Sequence, residues 1–297
     1  PLSHINVLSQ NRGTPNMGLR GAWTNETLRA LDGAWVELRV GAFDWSVREV
    51  TEAEAEAWWE ANRPAPLDVP PMDLSVQAIT PIGAVLAPPP STLQDALHHA
   101  IPAFGGKVSH FAAMARVDAI PTPAAFAVPV FFFDQFMEQN GLWDELDAML
   151  VDPEFVNDRA IKRARLAALR ASIEAGTVDP AALQALHAVL DADFPGQRMR
   201  FRSSTNAEDV SGFNGAGLYE SRTYDPEDPE KPLLNAVRQV WASVYSDRAF
   251  AEREYYGIDH RNIGMALLSH RGFPTEDANG VAITANVFDP AGVEPAF

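Results

Sequence analysis

The chain has 297 residues, a formal net charge of −17 at pH 7, 46% hydrophobic residues and no cysteine. This length is enough for two domains with a sizeable core. The negative charge argues against nonspecific binding of DNA or RNA, which requires a basic surface. The lack of cysteine excludes disulfides, thiolate nucleophiles and zinc–thiolate sites. No run of residues is apolar and long enough to span a membrane, and the start shows no signal peptide. We therefore expect a cytoplasmic protein with no nucleic-acid or membrane partner.

The first segment, Pro1 to Leu19, predicts a short helix that begins near Ser3 and ends at Gly13. Serine is a favoured N-cap residue, and glycine followed by proline commonly ends a helix. His4 lies at the predicted N-terminus, where the backbone amides and the helix dipole favour an anion. A neutral imidazole there can accept a phosphoryl group. The alternative is an exposed histidine beside a capped helix.

A β-hairpin is predicted between residues 31 and 50, with its turn at Gly41, because apolar and polar residues alternate on both sides of the turn. Thr51 is the predicted N-cap of a helix from Glu52 to Asn62. We expect this helix to dock on the sheet through two tryptophans, Trp58 and Trp59.

Residues 63–71 contain four prolines and form the best candidate for a linker in the chain. Such a linker allows a domain to swing, and the alternative is a stiff, static connector.

A glycine motif, Gly105-Gly106-Lys107, separates two predicted helices, of which one begins at Ser91 or Thr92 and the other runs to about Arg116. Glycines before a lysine at a helix start suit phosphate binding. The motif lacks the spacing of a Walker A loop, and by itself it is more typical of a turn.

The remaining pattern predicts amphipathic helices and strands. The predicted helices span 131–142, 159–175, 180–191 and 233–250, and the predicted strands span 263–269 and 281–286. We expect three arginines of the second helix to form a solvated face: Arg163, Arg165 and Arg170.

The most informative stretch runs from Met199 to Ser221. Met199 and Phe201 alternate with Arg200 and Arg202, which predicts a half-buried strand. Small polar residues follow, then two carboxylates, Glu208 and Asp209, and three glycines, Gly212, Gly215 and Gly217. A guanidinium, hydroxyl groups and a glycine-rich loop together can bind a polyphosphate. The alternative is a polar surface turn with an arginine nearby.

The order of these residues, Arg-Ser-Ser-x-x-x-Glu-Asp and then Phe-x-Gly-x-Gly-x-x-Glu, resembles the ATP-binding domain of the phosphoenolpyruvate synthase and pyruvate phosphate dikinase superfamily. Leu-Ser-His followed by Gly-x-Pro resembles the phosphohistidine swivelling domain of that superfamily. The tripeptide Gly-Gly-Lys, with Ile120 to Val128, resembles the opening of its ATP domain. The chain departs from the family pattern at four positions: Ser9, Gln10, Ser109 and His270.

The resemblance implies specific residue roles. His4 carries the phosphoryl group as the catalytic nucleophile. ATP is bound by Lys107, Arg202, Ser203, Ser204, Glu220 and His270. Mg²⁺ is bound by Asp289 and Glu294, since carboxylates suit this ion; the alternative for these two is an exposed loop.

The implied fold class is α/β (α+β), in which an incomplete ATP-grasp domain follows the C-terminal part of a swivelling β/β/α phosphohistidine domain. The predicted boundaries are 1–62 for the phosphohistidine part, 63–90 for the proline-rich linker and the segment after it, and 91–297 for the ATP-grasp part. This order is similar to that of the α-glucan water dikinases. We expect the chain to be a fragment of a longer protein that binds ATP weakly or not at all on its own.

The implied function is ATP-dependent dikinase chemistry, in which the β-phosphoryl of ATP moves to His4 and then to an acceptor. Candidate acceptors are a glucan, pyruvate or a small molecule such as an antibiotic. The alternative is a degenerate ATP-binding regulatory module without phosphotransfer. The sequence leaves the oligomeric state open, with a homodimer as one alternative.

Overall fold

The computed structural model describes residues 9, 12–41, 43–88, 92–208, 213, 215 and 217–275. The strands in these ranges are β1 Val36–Val40, β2 Trp45–Glu49, β3 Thr80–Pro81, β4 Ala125–Val128, β5 Met199–Thr205, β6 Ser221–Tyr224 and β7 Met265–Arg271. The helices are α1 Glu26–Ala30, α2 Glu52–Asn62, α3 Leu93–Met114, α4 Val130–Gln139, α5 Leu142–Leu150, α6 Pro153–Asn157, α7 Arg159–Ala175, α8 Pro180–Asp193, α9 Leu233–Ala242 and α10 Asp247–Tyr255. None of the described helices has the length and hydropathy needed to cross a bilayer.

The main sheet has five strands in the order β3–β4–β7–β5–β6, and each strand is antiparallel to its neighbours. Strand β5 pairs with β7 on one side and β6 on the other. Because side chains alternate across a strand, Met199 and Phe201 lie on one face of the sheet, and Arg200 and Arg202 lie on the other. The alternation predicted from the sequence is therefore confirmed.

Helices cover both faces of this sheet. The larger core packs Phe201 and Leu267 against apolar side chains from α4, α5 and α7 to α10. The smaller core, on the opposite face, packs Ala127 and Leu268 against the buried face of α3, including Val108. The arginine face is therefore the face covered by α3.

Helix α3 consists of two helical stretches joined by a kink at Gly105, whose φ of 74° and ψ of 169° are not helical. The sequence predicted two helices divided at Gly-Gly-Lys, and the kink confirms this division. Lys107 lies in the turn after the kink. Thr92 is the N-cap, since its hydroxyl accepts a hydrogen bond from the Asp95 amide.

The N-terminal unit forms the predicted hairpin of β1 and β2. Thr51 and Glu54 form a capping box at the start of α2. The tryptophans of α2 do not dock on the hairpin as expected: Trp58 is 63% exposed, and the Trp59 ring packs on Tyr255 of α10 at 5.4 Å between centroids.

The proline-rich segment lies against the body of the protein. The Leu67 amide donates to the Tyr256 carbonyl at 3.0 Å, Val69 is buried, and the Pro70 carbonyl accepts from the Asn206 side chain at 2.9 Å. In this arrangement the segment is a bound connector.

The prediction of one continuous helix at 233–250 is wrong, because the structure divides this range into two helices. Helix α9 ends at Ala242, a 3₁₀ turn covers 243–245, and Ser246 caps α10 by accepting from the Ala249 amide. The Ser243 hydroxyl donates to the Val240 carbonyl and accepts from the Glu220 amide, so it joins the turn to the loop before β6. The predicted strand at 281–286 and the predicted helix start near Ser3 lie outside the described residues.

Candidate functional site

The candidate site begins with the face of the sheet that carries Arg200, Arg202 and Ser204. In the register of β5 and β7, Arg200 pairs with His270 and Arg202 pairs with Leu268. Both arginines, Ser204 and His270 therefore share one face. Sequence reasoning selected Arg202 and missed Arg200, although the period of two placed them on the same side.

Ser204 joins β5 to helix α3. Its hydroxyl accepts a hydrogen bond from the Val108 amide at 3.0 Å and donates to the Phe104 carbonyl at 2.9 Å. Ser204 is fully buried. The strand extends through Thr205, so it includes both serines of the Arg-Ser-Ser motif. Ser204 thus holds the Arg-Ser-Ser motif against the Gly-Gly-Lys motif.

The kink at Gly105 makes this contact possible. A Cβ at Gly105 would lie 2.5 Å from the Ser204 hydroxyl oxygen and closer still to the Ser204 carbonyl. Only glycine combines this close approach with a positive φ at low cost. The glycine requirement at this position therefore comes from packing between α3 and β5.

Lys107 forms an ion pair with Glu208, which follows the end of β5. The Glu208 side chain is 4% exposed and that of Lys107 is 33% exposed. Gly215 of the glycine-rich loop packs on the same carboxylate, since a Cβ there would lie 2.7 Å from Glu208 Cγ. The lysine of one motif, the carboxylate of the next and the glycine loop are therefore in one place, a convergence the sequence did not reveal.

A cluster of arginines extends along β5 and β6. Burial lowers the pKa of Arg200, and the neighbouring charges of Arg202, Arg222 and Arg198 lower it further. The Arg200 guanidinium donates to the Thr223 hydroxyl at 3.0 Å. A bound anion would relieve this repulsion, because an opposite charge favours the charged form of a group. Arg198 and Arg222 are also paired with carboxylates, those of Asp225 and Glu220.

His270 stacks on an aromatic side chain of α3. Its ring is parallel to that of Phe111, at 7° between planes and 6.4 Å between centroids. Phe273 lies on another side of the imidazole at 6.4 Å. Burial lowers the pKa of His270, an effect opposed by the hydrogen bond to the Arg271 carbonyl and reinforced by Arg202 and Arg200. Flat, mainly neutral rings beside the arginines suit a heteroaromatic base.

Two of the predicted nucleotide residues lie apart from this face. Ser203 is buried on the side of the larger core, with Phe201. The Glu220 carboxylate forms ion pairs with Arg222 and with Arg170 of α7. The predicted solvated face of α7 is correspondingly paired, because Arg165 also bonds Asp152 and Arg163 bonds Asp247.

Arg248 of α10 contacts the backbone of the glycine-rich loop. Its guanidinium donates to the carbonyl of Gly217, and also to that of Leu218 at 3.4 Å. It therefore supports the end of the glycine-rich loop.

His4, Asp289 and Glu294 lie outside the described residues. Within the described ranges, no group of three or more histidine, aspartate and glutamate side chains is arranged to hold a metal ion. The described part of the site thus offers cations and ring faces for a nucleotide, while its Mg²⁺ ligands remain a prediction.

Residues 101–294 match the family described as pyruvate phosphate dikinase, AMP/ATP-binding domain. The chain belongs to this family. The match includes Gly-Gly-Lys, Arg-Ser-Ser and β7, so the site described above lies within the AMP/ATP-binding domain, and the resemblance to the superfamily is confirmed.

Curated relatives give the same family. The chain is 28% identical over 198 residues to a rifampicin phosphotransferase of a Streptomyces species. The aligned region covers 65% of this chain and 22% of the relative. It is 29% identical over 154 residues to the phosphoenolpyruvate synthase of Escherichia coli K12, which covers 50% of this chain and 19% of that enzyme. The matched part spans about a fifth of the length of these relatives.

Proposed function

We propose that this protein is part of an ATP-dependent dikinase-type phosphotransferase, in which Lys107 and Arg202 bind the phosphates of ATP and His4 receives the β-phosphoryl group. The observation that supports this most strongly is the contact of Ser204 with the Val108 amide and the Phe104 carbonyl. Through it, the lysine of one motif and the arginine of the other are held at a single junction between α3 and β5.

The charges at this junction fit a polyphosphate. Arg200 and Arg202 share the face on which the Lys107 ammonium is paired with Glu208. Phosphoryl transfer depends mainly on positioning and on neutralising phosphate charge. Arginine provides a planar fork of donors for phosphate oxygens, and lysine a compact point charge. Phosphates that approach Lys107 must compete with the Glu208 carboxylate for it.

The adenine would lie toward His270 and Phe111. Their rings stack on each other, and His270 pairs with Arg200 in the register of β5 and β7. The base of one nucleotide would contact these rings while its phosphates contact the arginines. Mg²⁺ supplies charge neutralisation when bound to the phosphates, with Asp289 and Glu294 as its proposed protein ligands.

In the proposed reaction a nitrogen of the His4 imidazole forms a bond to the β-phosphorus of ATP. The bond from the β-phosphorus to the bridging oxygen of the α-phosphate breaks, and AMP leaves with that oxygen. Water or inorganic phosphate then removes the γ-phosphoryl group, which leaves a single phosphoryl group on His4 for an acceptor.

The acceptor is a separate proposal. The relatives, a rifampicin phosphotransferase and a phosphoenolpyruvate synthase, make a rifampicin-like antibiotic and pyruvate candidate acceptors, and the domain order predicted from the sequence adds glucans. A regulatory ATP-binding module without transfer is the alternative function. A cytoplasmic location, the lack of nucleic-acid and membrane partners, and a homodimer remain predictions.

The experiment that tests transfer uses the longest natural polypeptide that contains this chain. It is incubated with Mg²⁺ and with ATP labelled at the β or the γ position, alongside the variants His4→Ala and Arg202→Ala. We expect an acid-labile label from the β position in the wild type and in neither variant. A wild type that takes no label from either position would eliminate the phosphohistidine mechanism and favour the regulatory module.

A further inference from the structure

Helix α10 binds a segment that is distant in sequence. Arg12 donates from Nε to Glu252 Oε2 at 2.9 Å, and a second guanidinium nitrogen contacts the same oxygen. The guanidinium carbon of Arg12 also lies 4.5 Å from the ring centroid of Tyr255. These contacts join residues that are 240 positions apart, so Arg12 attaches the start of the chain to the ATP-binding domain.

Other N-terminal residues contact the same end of α10. The Trp59 ring packs on Tyr255, and the Leu67 amide donates to the Tyr256 carbonyl. Arg12 supplies the charged contact in this group, and the remaining contacts are a ring contact and a backbone hydrogen bond.

The same helix also holds the glycine-rich loop. The Arg248 guanidinium donates to the Gly217 carbonyl. The fully buried Arg253 donates to the Tyr219 hydroxyl at 3.5 Å. Helix α10 therefore lies between the N-terminal segment and the loop that packs on the Lys107–Glu208 pair.

The Arg12 contact has the chemistry of specific recognition. The Glu252 side chain is 1% exposed and that of Arg12 is 30% exposed. A buried carboxylate is costly unless it is paired and hydrogen-bonded. Arginine meets this need with two donors that converge on one carboxylate oxygen, and its flat guanidinium lies over the tyrosine ring.

We propose that Glu252 and Tyr255 form a docking surface for the N-terminal segment of this chain, and that Arg12 is the residue by which the segment recognises it. The consequence for catalysis rests on the proposed function. His4 precedes Arg12 by eight residues, and eight residues span at most about 28 Å. Docking of Arg12 thus limits the distance between the proposed nucleophile and α10 to about that reach.

The test exploits the lack of native cysteine. Cysteines are introduced at two exposed positions, Thr14, which follows Arg12 by two residues, and Asp144 of α5, and are spin-labelled for distance measurement by pulsed electron paramagnetic resonance. The variants are Arg12→Gln, which removes the charge, and Glu252→Gln, which removes its partner. Arg20→Gln is the matched control, because Arg20 is exposed and forms no ion pair with the described residues.

We expect a narrow distance distribution in the parent and in Arg20→Gln. In Arg12→Gln we expect a broad one, with the docked population reduced about tenfold or more relative to the undocked population, since hydrogen bonds to charged groups contribute this much. The docked population of the double variant Arg12→Gln/Glu252→Gln should be no smaller than that of either single variant, because the two residues act as a pair. Equal narrow distributions in Arg12→Gln and the parent would overturn the proposal.

The phosphorylation assay separates this inference from the function. If His4 is labelled in the wild type, we expect the labelling rate to fall about tenfold in Arg12→Gln and to stay unchanged in Arg20→Gln. A labelled wild type with an unaffected Arg12→Gln rate would contradict the docking role while leaving the function intact. An unlabelled wild type would overturn the function, and the distance measurement would still decide the docking.

Discussion

Gly105 and Ser204 approach so closely that no other residue fits at position 105. A Cβ on Gly105 would lie 2.5 Å from the Ser204 hydroxyl oxygen, and the φ of Gly105 is +74°. This contact sets the kink in α3, and the kink places Lys107 beside the end of the strand that carries Arg202. The geometry of the proposed nucleotide site therefore depends on a close contact made by a residue without a side chain.

Replacement of Gly105 by alanine should destabilise the protein by several kcal/mol. The conformation of Gly105, with a φ of 74° and a ψ of 169°, is essentially restricted to glycine and costs another residue about 1–3 kcal/mol, and the overlap with Ser204 adds to this. Gly141→Ala is the comparison, because Gly141 has a positive φ of 64° in the left-handed region and open space around it; we expect it to cost only about 1–2 kcal/mol. Urea unfolding measures both variants, and equal costs would show that the Ser204 contact does not constrain position 105.

Ser204→Ala should cost about 1–3 kcal/mol of unfolding free energy, because it leaves the buried Val108 amide without its acceptor. Ser269→Ala provides the comparison. The Ser269 hydroxyl is also buried, but it has no hydrogen-bond partner in the described part of the chain, so its loss should be close to neutral. The contact between the two motifs would be dispensable if Ser204→Ala unfolded at the same urea concentration as Ser269→Ala.

A buried histidine makes stability depend on pH. His260 stacks on Phe250 at 3.7 Å and accepts a hydrogen bond from Arg253. Burial, with the charges of Arg253 and Lys162, lowers the pKa of His260 to about 2. An unfolded histidine titrates near 6.5, so below this pH the unfolded state binds a proton that the folded state does not.

This group should therefore reduce the unfolding free energy by about 1.4 kcal/mol for each pH unit below about 6.5. In His260→Gln the slope between pH 5 and pH 6 should fall by that amount, while the exposed His187→Gln keeps the wild-type slope. Chemical denaturation at several pH values gives the slopes, and an unchanged slope in His260→Gln would mean that the buried imidazole is protonated in the folded protein.

The sequence was sufficient for features that depend on local signals. The alternation around Phe201, the N-cap at Thr51 and the hairpin turn at Gly41 all follow from neighbouring residues, and each was predicted. The N-cap at Ser246 was not predicted, although a serine before an aspartate is typical of a helix start. The helical spacing of apolar residues in α9 favoured a single helix that continued past Ser246.

Other features depend on contacts between distant residues. The pairing of Lys107 with Glu208 joins residues 101 positions apart, and the Arg12–Glu252 pair joins segments at opposite ends of the described chain. The structural role of Ser204 follows from the packing of α3 on β5. No local pattern reveals these contacts. The alternation along β5 predicts a strand, but it does not show whether the arginine face of that strand is open to solvent or covered by a helix.

The most direct test of the proposed nucleotide site is calorimetric titration of ATP and AMP, with Mg²⁺, into the longest natural polypeptide that contains this chain. The variants are Lys107→Met and Arg202→Met, and Lys231→Met, which removes a lysine paired with Asp228 in the turn between β6 and α9, is the control. We predict that the first two lower the affinity for ATP at least about tenfold, since each loses a charged hydrogen bond to phosphate. Their effect on AMP, which lacks the β- and γ-phosphates, should be smaller, and Lys231→Met should bind both nucleotides as the wild type does. Folded Lys107→Met and Arg202→Met variants with wild-type affinity for ATP would contradict the assignment of this junction as the phosphate site.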